Sequence, residues 1–174
     1  MNEFQTQLAE LFDLQRALDQ RILGDKPYPL QQMILAFIAE VGELLKECES
    51  LYKHWKKHPV DNRQRMLEEY VDCLHFALSI CNHGDNTHYF LDRCDGFEEL
   101  ADFASLTSYL VDDENEHIVY LLVVSIQQTY GSDSENAVIS LLALGFVLGF
   151  TWPEIYEEYK RKNAINHQRQ EEGY

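Results

Sequence analysis

Two acidic pairs occur beside long apolar runs of sequence. In MILAFIAEVGELL the only charged side chains are Glu40 and Glu43, and in MLEEYVDCLHFALSIC the pair Glu69 and Asp72 has the same spacing of three residues. Residues three apart are neighbours on one face of a helix, so two adjacent helices could bring four carboxylates around one point. Such a cluster needs a cation, and oxygen-only ligation favours Mg²⁺ or Mn²⁺. The alternative is that each pair forms a solvated helix face.

The last helical segment carries a basic, amide-rich face. Its stretch YKRKNAINHQRQ contains four Lys or Arg residues. Lys162, Asn166 and Arg169 are spaced by four and three residues and therefore share one helix face, with Asn163 close to the same side. Their donors suit phosphate oxygens, and Mg²⁺ held by carboxylates is commonly completed by substrate phosphates. The alternative is that these cations only favour the dipole at a helix end.

Aromatic and amide side chains near the acidic pairs could form a pocket for a nucleobase. Phe76 follows the second acidic pair by one helical turn, and Trp55 comes just after the first acidic helix. Gln15 and Asp19, one turn apart, could make paired hydrogen bonds with a base edge. Ordinary core packing is the alternative for both aromatic residues. His75, beside Phe76, is interpreted as a hydrogen-bonded structural histidine rather than a ligand.

Helical periodicity dominates the chain, without convincing strand alternation. Apolar residues at spacings of three and four predict a helix from Glu3 to about Leu23, which the prolines of GDKPYP end. Further helices are predicted at about 30–53, 63–82, 97–112 and 115–130. The helices at 30–53 and 63–82 are expected to be antiparallel neighbours, because their connection is short.

Capping patterns predict the starts of two more helices. Ser132-x-x-Glu135 begins a helix that ends near Gly149, and Thr151-x-x-Glu154 begins the last one. Residues 84–96 form the expected irregular loop. The sequence therefore predicts one all-α domain over residues 1–174, a helical bundle without significant sheet, in which 84–130 is an unplaced insertion.

The composition limits the class of protein. Of 174 residues, 30 are acidic and 14 basic, the net charge is −16, and 45% are hydrophobic. This apolar fraction is too high for a disordered chain, and the charge argues against nucleic acid as a partner. A bound divalent metal could still reverse the local field for a small phosphorylated ligand.

No segment predicts a membrane span or a secretory signal. The longest apolar run, from Val138 to Phe150, is too short to cross a bilayer. The N-terminal MNEFQTQLAELF has no basic region followed by an apolar core. The four cysteines form no CxxC pair, and we expect reduced thiols in a cytoplasmic protein.

Taken as an ordered set, four segments resemble one family. LQRALDQRI, AEVGELLKE, EEYVDCLHF and LGFTWPEIYEEYKRKNAINHQRQEEGY are similar to segments of the dimeric, all-α dUTPases, which belong to the all-α nucleoside triphosphate pyrophosphatases. ExxE…ExxD marks only the wider superfamily, whereas the closing KNxxNxxRQxxGY is more specific to the dUTPase branch. Residues of about 84–130 match no pattern of the family.

The resemblance implies a role for each matching residue. The ligands of two or more Mg²⁺ ions (alternatively Mn²⁺) are Glu40, Glu43, Glu69 and Asp72. Glu43 and Glu40 take the catalytic role, with Glu43 as general base. The phosphate-binding group is Lys162, Asn166 and Arg169, and the nucleoside-binding group is Gln15, Asp19, Trp55, Phe76 and Asn163. Asp19 departs from the family, because some members carry Asn there and a carboxylate should read the uracil edge differently.

The implied activity is Mg²⁺-dependent hydrolysis of dUTP to dUMP and pyrophosphate, with dUDP as a further substrate, by a homodimer. The runs HIVYLLVVS and VISLLALGFVLGF, apolar around most of a helix, are expected to be buried in a core or between subunits. Two alternatives remain open. Asp19 could accept from a cytosine amino group in a dCTP or broader pyrophosphatase, or the same fold could serve as a nucleotide-sensing, protein-binding module. No particular protein partner is indicated.

Overall fold

A computed structural model describes residues 1–84, 96–97, 100, 114–129 and 134–173. Within these ranges the chain forms seven helices and no strand, so the prediction of an all-α fold is confirmed. The helices are α1 (Glu3–Leu23), α2 (Leu30–Glu47), α3 (Glu49–Tyr52), α4 (Arg63–His83), α5 (Glu114–Gln128), α6 (Ser134–Val147) and α7 (Trp152–Glu171). The loop predicted at 84–96, the helix predicted at 97–112 and the cap at Ser132 lie almost wholly outside the described residues.

Local hydrogen bonds fix the ends of the two helices that flank the site. At the start of α1, Asn2 Oδ1 accepts from the backbone N of Gln5, and Gln5 Oε1 accepts from Asn2 N, both at 2.9 Å. Gly24 ends α1 at a φ of 57°, a conformation that favours glycine. At α7, Thr151 N donates to Glu154 Oε2 at 2.8 Å in a second capping box, which confirms the predicted start.

The helix predicted over 30–53 is interrupted at Cys48, where φ is −96° and ψ is 61°. Contacts from the following loop hold this break: Glu49 accepts from Val60 N at 3.0 Å, and Asp61 accepts from Ser50 N at 2.8 Å. The apolar periodicity continues past Cys48, so spacing alone does not reveal the interruption.

Helices α2 and α4 are the antiparallel neighbours that the sequence predicts. The backbone N of Asn62, just before α4, donates to Glu47 O at the end of α2, at 3.2 Å. Farther along, Glu40 of α2 lies beside Glu69 and Asp72 of α4. Since residue numbers fall along one helix as they rise along the other, the two helices run in opposite directions.

The core surrounds α4, which packs against α1, α2, α6 and α7. Tyr70 of α4 is fully buried and donates to Leu141 O of α6 at 3.0 Å. The apolar run of α6 is buried in this core from Ala137 to Gly145. No single helix in the described ranges is long and apolar enough to cross a membrane, and α6 and α7 pass that test only jointly, across a bend of 117°.

Gly145 permits the close contact of α6 with α4, and its replacement by Ala should destabilise the fold. A Cβ at this position would lie 2.5 Å from Tyr70 Oη and 2.7 Å from its Cζ. We expect Gly145→Ala to lower the free energy of unfolding by about 1–3 kcal/mol, as overpacking commonly does. Urea denaturation of the purified protein measures this change. Gly42→Ala is the matched control, because a Cβ there meets nothing within 4 Å; equal stability of both variants would contradict the expectation.

Candidate functional site

Three of the predicted metal ligands converge between α2 and α4. Glu40, Glu69 and Asp72 each place a carboxylate oxygen within 4.8 Å of the others. Burial is the largest cause that raises the pKa of each carboxyl. The charge of Asp72 raises the pKa of Glu40 and of Glu69 further, and that of Glu158 raises the pKa of Asp72. Oxygen donors this close, in partly buried surroundings, fit a divalent cation such as Mg²⁺.

The fourth predicted ligand, Glu43, lies outside this cluster. Its side chain is exposed and accepts from Lys46 Nζ at 2.5 Å. Its charge still contributes to the raised pKa of Glu40 and of Glu69, so the carboxylate lies at the edge of the cluster. The structure therefore places Glu43 near the site without bringing it into ligand contact.

Two cations pair with the clustered acids. Lys162 Nζ of α7 donates to Asp72 Oδ2, and Arg65 donates to Glu69 Oε1 from one guanidinium nitrogen. This contact places Lys162 beside the acidic cluster, and its role in phosphate binding stays a prediction. The sequence pattern does not single out Arg65 as part of the site, although its spacing of four residues from Glu69 is typical of an ion pair on a helix.

A cavity of about 350 Å³ extends from the acidic cluster. Glu40 and Asp72 line it, and the predicted residues Asn166 and Arg169 line it from α7. Arg169 Nη1 donates to Asn166 Oδ1 at 3.4 Å, as expected for side chains on one helix face. The volume falls in the range of small-molecule sites, and the cavity therefore joins an acidic wall to a wall of phosphate-compatible donors.

Three of the five side chains predicted for the nucleoside-binding group line the rest of the cavity. Gln15, Asp19 and Phe76 all line it. Trp55 does not; it is 67% exposed and packs edge-on against Tyr52 at 5.8 Å between ring centroids. The role of Trp55 as an aromatic wall thus stays a prediction.

Among the residues that the structure describes, two buried polar side chains have a nitrogen without a hydrogen-bond partner. Asn163, 4% exposed, has no hydrogen-bond partner for Nδ2 within the described part of the chain. The same holds for His75 Nε2, in a ring that lines the cavity and is 5% exposed. The contact of His75 with Gln15 fits the structural role predicted for this histidine, but its second ring nitrogen has no comparable contact among the described residues.

Comparison with known proteins gives a family. A family model described as dUTPase matches residues 7–174, nearly the whole chain, including the segment 84–130 that the resemblance could not place. A search of curated proteins gave no match.

Proposed function

The chain belongs to the all-α dUTPase family, and on this premise we propose that it hydrolyses dUTP, and also dUDP, in an Mg²⁺-dependent reaction that converts dUTP to dUMP and pyrophosphate. The family implies a nucleotide pyrophosphatase. The observation that best supports hydrolysis of dUTP is that one cavity is bounded by Glu40 and Asp72 on one side and by Asn166 and Arg169 on another. A nucleoside triphosphate requires both a metal-binding wall and a phosphate-binding wall.

Glu40, Glu69 and Asp72 would bind the metal, and Glu43, at the edge of this cluster, could become a fourth ligand. When bound, Mg²⁺ would neutralise the triphosphate and orient a water molecule. Lys162, which now donates to Asp72, would be released from that carboxylate and become available to the phosphates. Arg169 and Asn166 would bind phosphate oxygens and help α7 exclude bulk water.

Glu43 is the proposed general base. Its exposed carboxylate would accept a proton from the attacking water. Glu40 would bind the metal beside it. The water oxygen bonds to the β-phosphorus, the position that the family resemblance implies. The bond from that phosphorus to the oxygen bridging the α- and β-phosphates breaks, so dUMP and pyrophosphate leave.

A substrate panel tests the assignment. We expect hydrolysis of dUTP to exceed that of dCTP, dTTP and UTP by at least about tenfold in kcat/KM, since one group in a fitted pocket changes kcat/KM by about 10–200-fold. Omission of Mg²⁺ should abolish pyrophosphate release. Preference for dCTP by about tenfold or more would overturn the dUTPase assignment, and tight binding without hydrolysis would favour a sensing role.

We also propose a homodimer formed through the outer face of α2. Leu35 is 66% exposed and Ile38, one turn later, is 39% exposed. Helix α5, which contacts α2, exposes Val119 and Val123 at a spacing of four residues. Exposed apolar side chains on adjoining helices are typical of subunit interfaces. The apolar run of α6 does not contribute, because the chain's own core buries most of it.

Sedimentation velocity tests the dimer. At micromolar concentration the wild type should sediment as a dimer, and Leu35→Glu should shift it to monomer, because a buried unpaired carboxylate opposes association. Val60→Glu is the control, since Val60 is equally exposed, at 68%, but lies outside α2 and α5. A wild-type monomer, or a Leu35→Glu dimer as stable as the wild type, would contradict the proposal.

A further inference from the structure

A buried hydrogen-bond network connects Asp19 to the ring of His75. Gln15 Nε2 donates to Asp19 Oδ1 at 2.7 Å. Gln15 Oε1 contacts His75 Nδ1 at 2.8 Å and accepts from Tyr159 Oη at 2.7 Å. Ser79 also hydrogen-bonds Asp19, and its Oγ lies 2.9 Å from Tyr28 Oη. The three helices α1, α4 and α7 therefore meet in one polar network beside the cavity.

The carboxylate of Asp19 sets the direction of these hydrogen bonds. Gln15 Nε2 donates to a carboxylate oxygen of Asp19, so the carbonyl of the Gln15 amide must face His75. Burial raises the pKa of Asp19, and the hydrogen bonds from Ser79 and Gln15 oppose that rise. Burial raises the pKa of Tyr159, which keeps the phenol protonated as a donor to that carbonyl. The carbonyl therefore requires a proton on His75 Nδ1 as well.

The tautomer of His75 determines what its other nitrogen can do. Burial lowers the pKa of His75 to about 3, so the ring is neutral and carries one proton. With that proton on Nδ1, Nε2 has a lone pair and is only an acceptor. Stacking on Tyr159, at 3.9 Å between ring centroids, holds the ring in place. Leaving a buried acceptor without a donor is unfavourable, and a ligand in the cavity could supply that donor.

We propose that Asp19 is a positioning residue which, through Gln15, holds His75 as the Nδ1–H tautomer, so that His75 Nε2 accepts from the ring N–H of uracil and disfavours cytosine. The proposal rests on the proposed function and defines its base selectivity. Uracil carries a hydrogen on N3, whereas N3 of cytosine is an acceptor and would meet the lone pair of Nε2. The second N–H of Gln15 remains to donate to a base carbonyl. Asp19 is then an indirect determinant of selectivity rather than a contact for the cytosine amino group.

Nitrogen NMR of the ¹⁵N-histidine-labelled protein tests the tautomer without any turnover. In the ligand-free wild type we expect His75 to show a protonated Nδ1 and an unprotonated Nε2, with the signals assigned by their loss in His75→Asn. Addition of dUMP should shift the Nε2 signal, and addition of dCMP at the same concentration should shift it far less. A protonated Nε2 in the wild type, or equal shifts with both nucleotides, would overturn the proposal.

The Asp19→Ala variant tests whether Asp19 determines the tautomer of His75 through Gln15. Without the carboxylate the Gln15 amide can rotate, and His75 can then carry its proton on Nε2. We expect the ratio of kcat/KM for dUTP over dCTP to fall at least about tenfold, together with partial conversion of the His75 tautomer. The control is Asp13→Ala, an exposed α1 residue paired with Arg16, which should leave both readouts unchanged. If Asp19→Ala changed neither the His75 tautomer nor the ratio of kcat/KM for dUTP over dCTP, the positioning role of Asp19 would be refuted. Absence of hydrolysis by the wild type would refute only the proposed function.

Discussion

Glu40→Gln is expected to lower kcat/KM for Mg²⁺-dependent dUTP hydrolysis by about 10³-fold, while raising the melting temperature of the metal-free protein. Glu40 is the member of the acidic cluster that α2 contributes, opposite Glu69 and Asp72. Charge stabilisation by a bound metal contributes several kcal/mol in a transition state, and about 4 kcal/mol corresponds to about 10³-fold in rate. The neutral amide keeps the shape of the side chain but loses the charge that holds the metal.

The gain in stability has a separate cause. Burial raises the pKa of Glu40, and the charges of Asp72 and Glu69 raise it further, so its ionised form opposes folding at neutral pH. A neutral Gln removes that repulsion. Because the carboxyl is only partly buried, solvent screening limits the gain to about 1 kcal/mol or less, which corresponds to a rise of roughly 2–4 °C at most.

Paired measurements of pyrophosphate release and of thermal unfolding in a chelator separate the two effects. Glu157→Gln, an exposed carboxylate on α7, is the control that should change neither. Activity lost together with stability would indicate a damaged fold instead of a lost ligand. Turnover near that of the wild type would contradict the metal-binding role of Glu40.

Helical spacing predicts most of the described helices, though not the break at Cys48, and it predicts the meeting of three carboxylates. Glu69 and Asp72 are three residues apart on α4, and Glu40 reaches them because α2 and α4 run antiparallel. Spacing could not predict the position of Glu43. Glu43 has the same spacing from Glu40 as Asp72 has from Glu69, but its side chain pairs with Lys46 on the exposed side of α2 instead of joining the cluster.

The parts of the site that spacing could not reveal depend on contacts between distant residues. Gln15, His75 and Tyr159 come from three helices and meet only in the folded chain. In the sequence His75 is indistinguishable from an ordinary buried histidine, since no neighbouring residue type shows that Nε2 has no partner among the described residues. The position of Trp55 likewise depends on the loop after α3, whose course is set by contacts such as that of Asp61 with Ser50.

Arg169→Ala is expected to lower kcat/KM for dUTP by about 10²-fold, with little change in stability. Arg169 lines the cavity from α7, on the same wall as Asn166. Its planar guanidinium can donate two parallel hydrogen bonds to a phosphate group. Hydrogen bonds to charged groups contribute about 1.5–3 kcal/mol each, and about 2.7 kcal/mol corresponds to about 10²-fold. The side chain itself is exposed, so its removal opens no hole in the core.

Two further variants show whether the charge of Arg169 or the geometry of its guanidinium is responsible for the loss of activity in Arg169→Ala. Arg169→Lys keeps the charge but not the fork of donors, and should recover no more than about a tenth of the wild-type kcat/KM, since Lys binds phosphate as a point charge. Lys160→Ala is the matched control, because Lys160 is a cation of the same helix that pairs with Glu10 and does not line the cavity. Initial rates over a range of dUTP concentrations distinguish the cases. If Lys160→Ala and Arg169→Ala lost activity equally, the effect would belong to the general charge of α7, and the specific role of Arg169 in phosphate binding would be wrong.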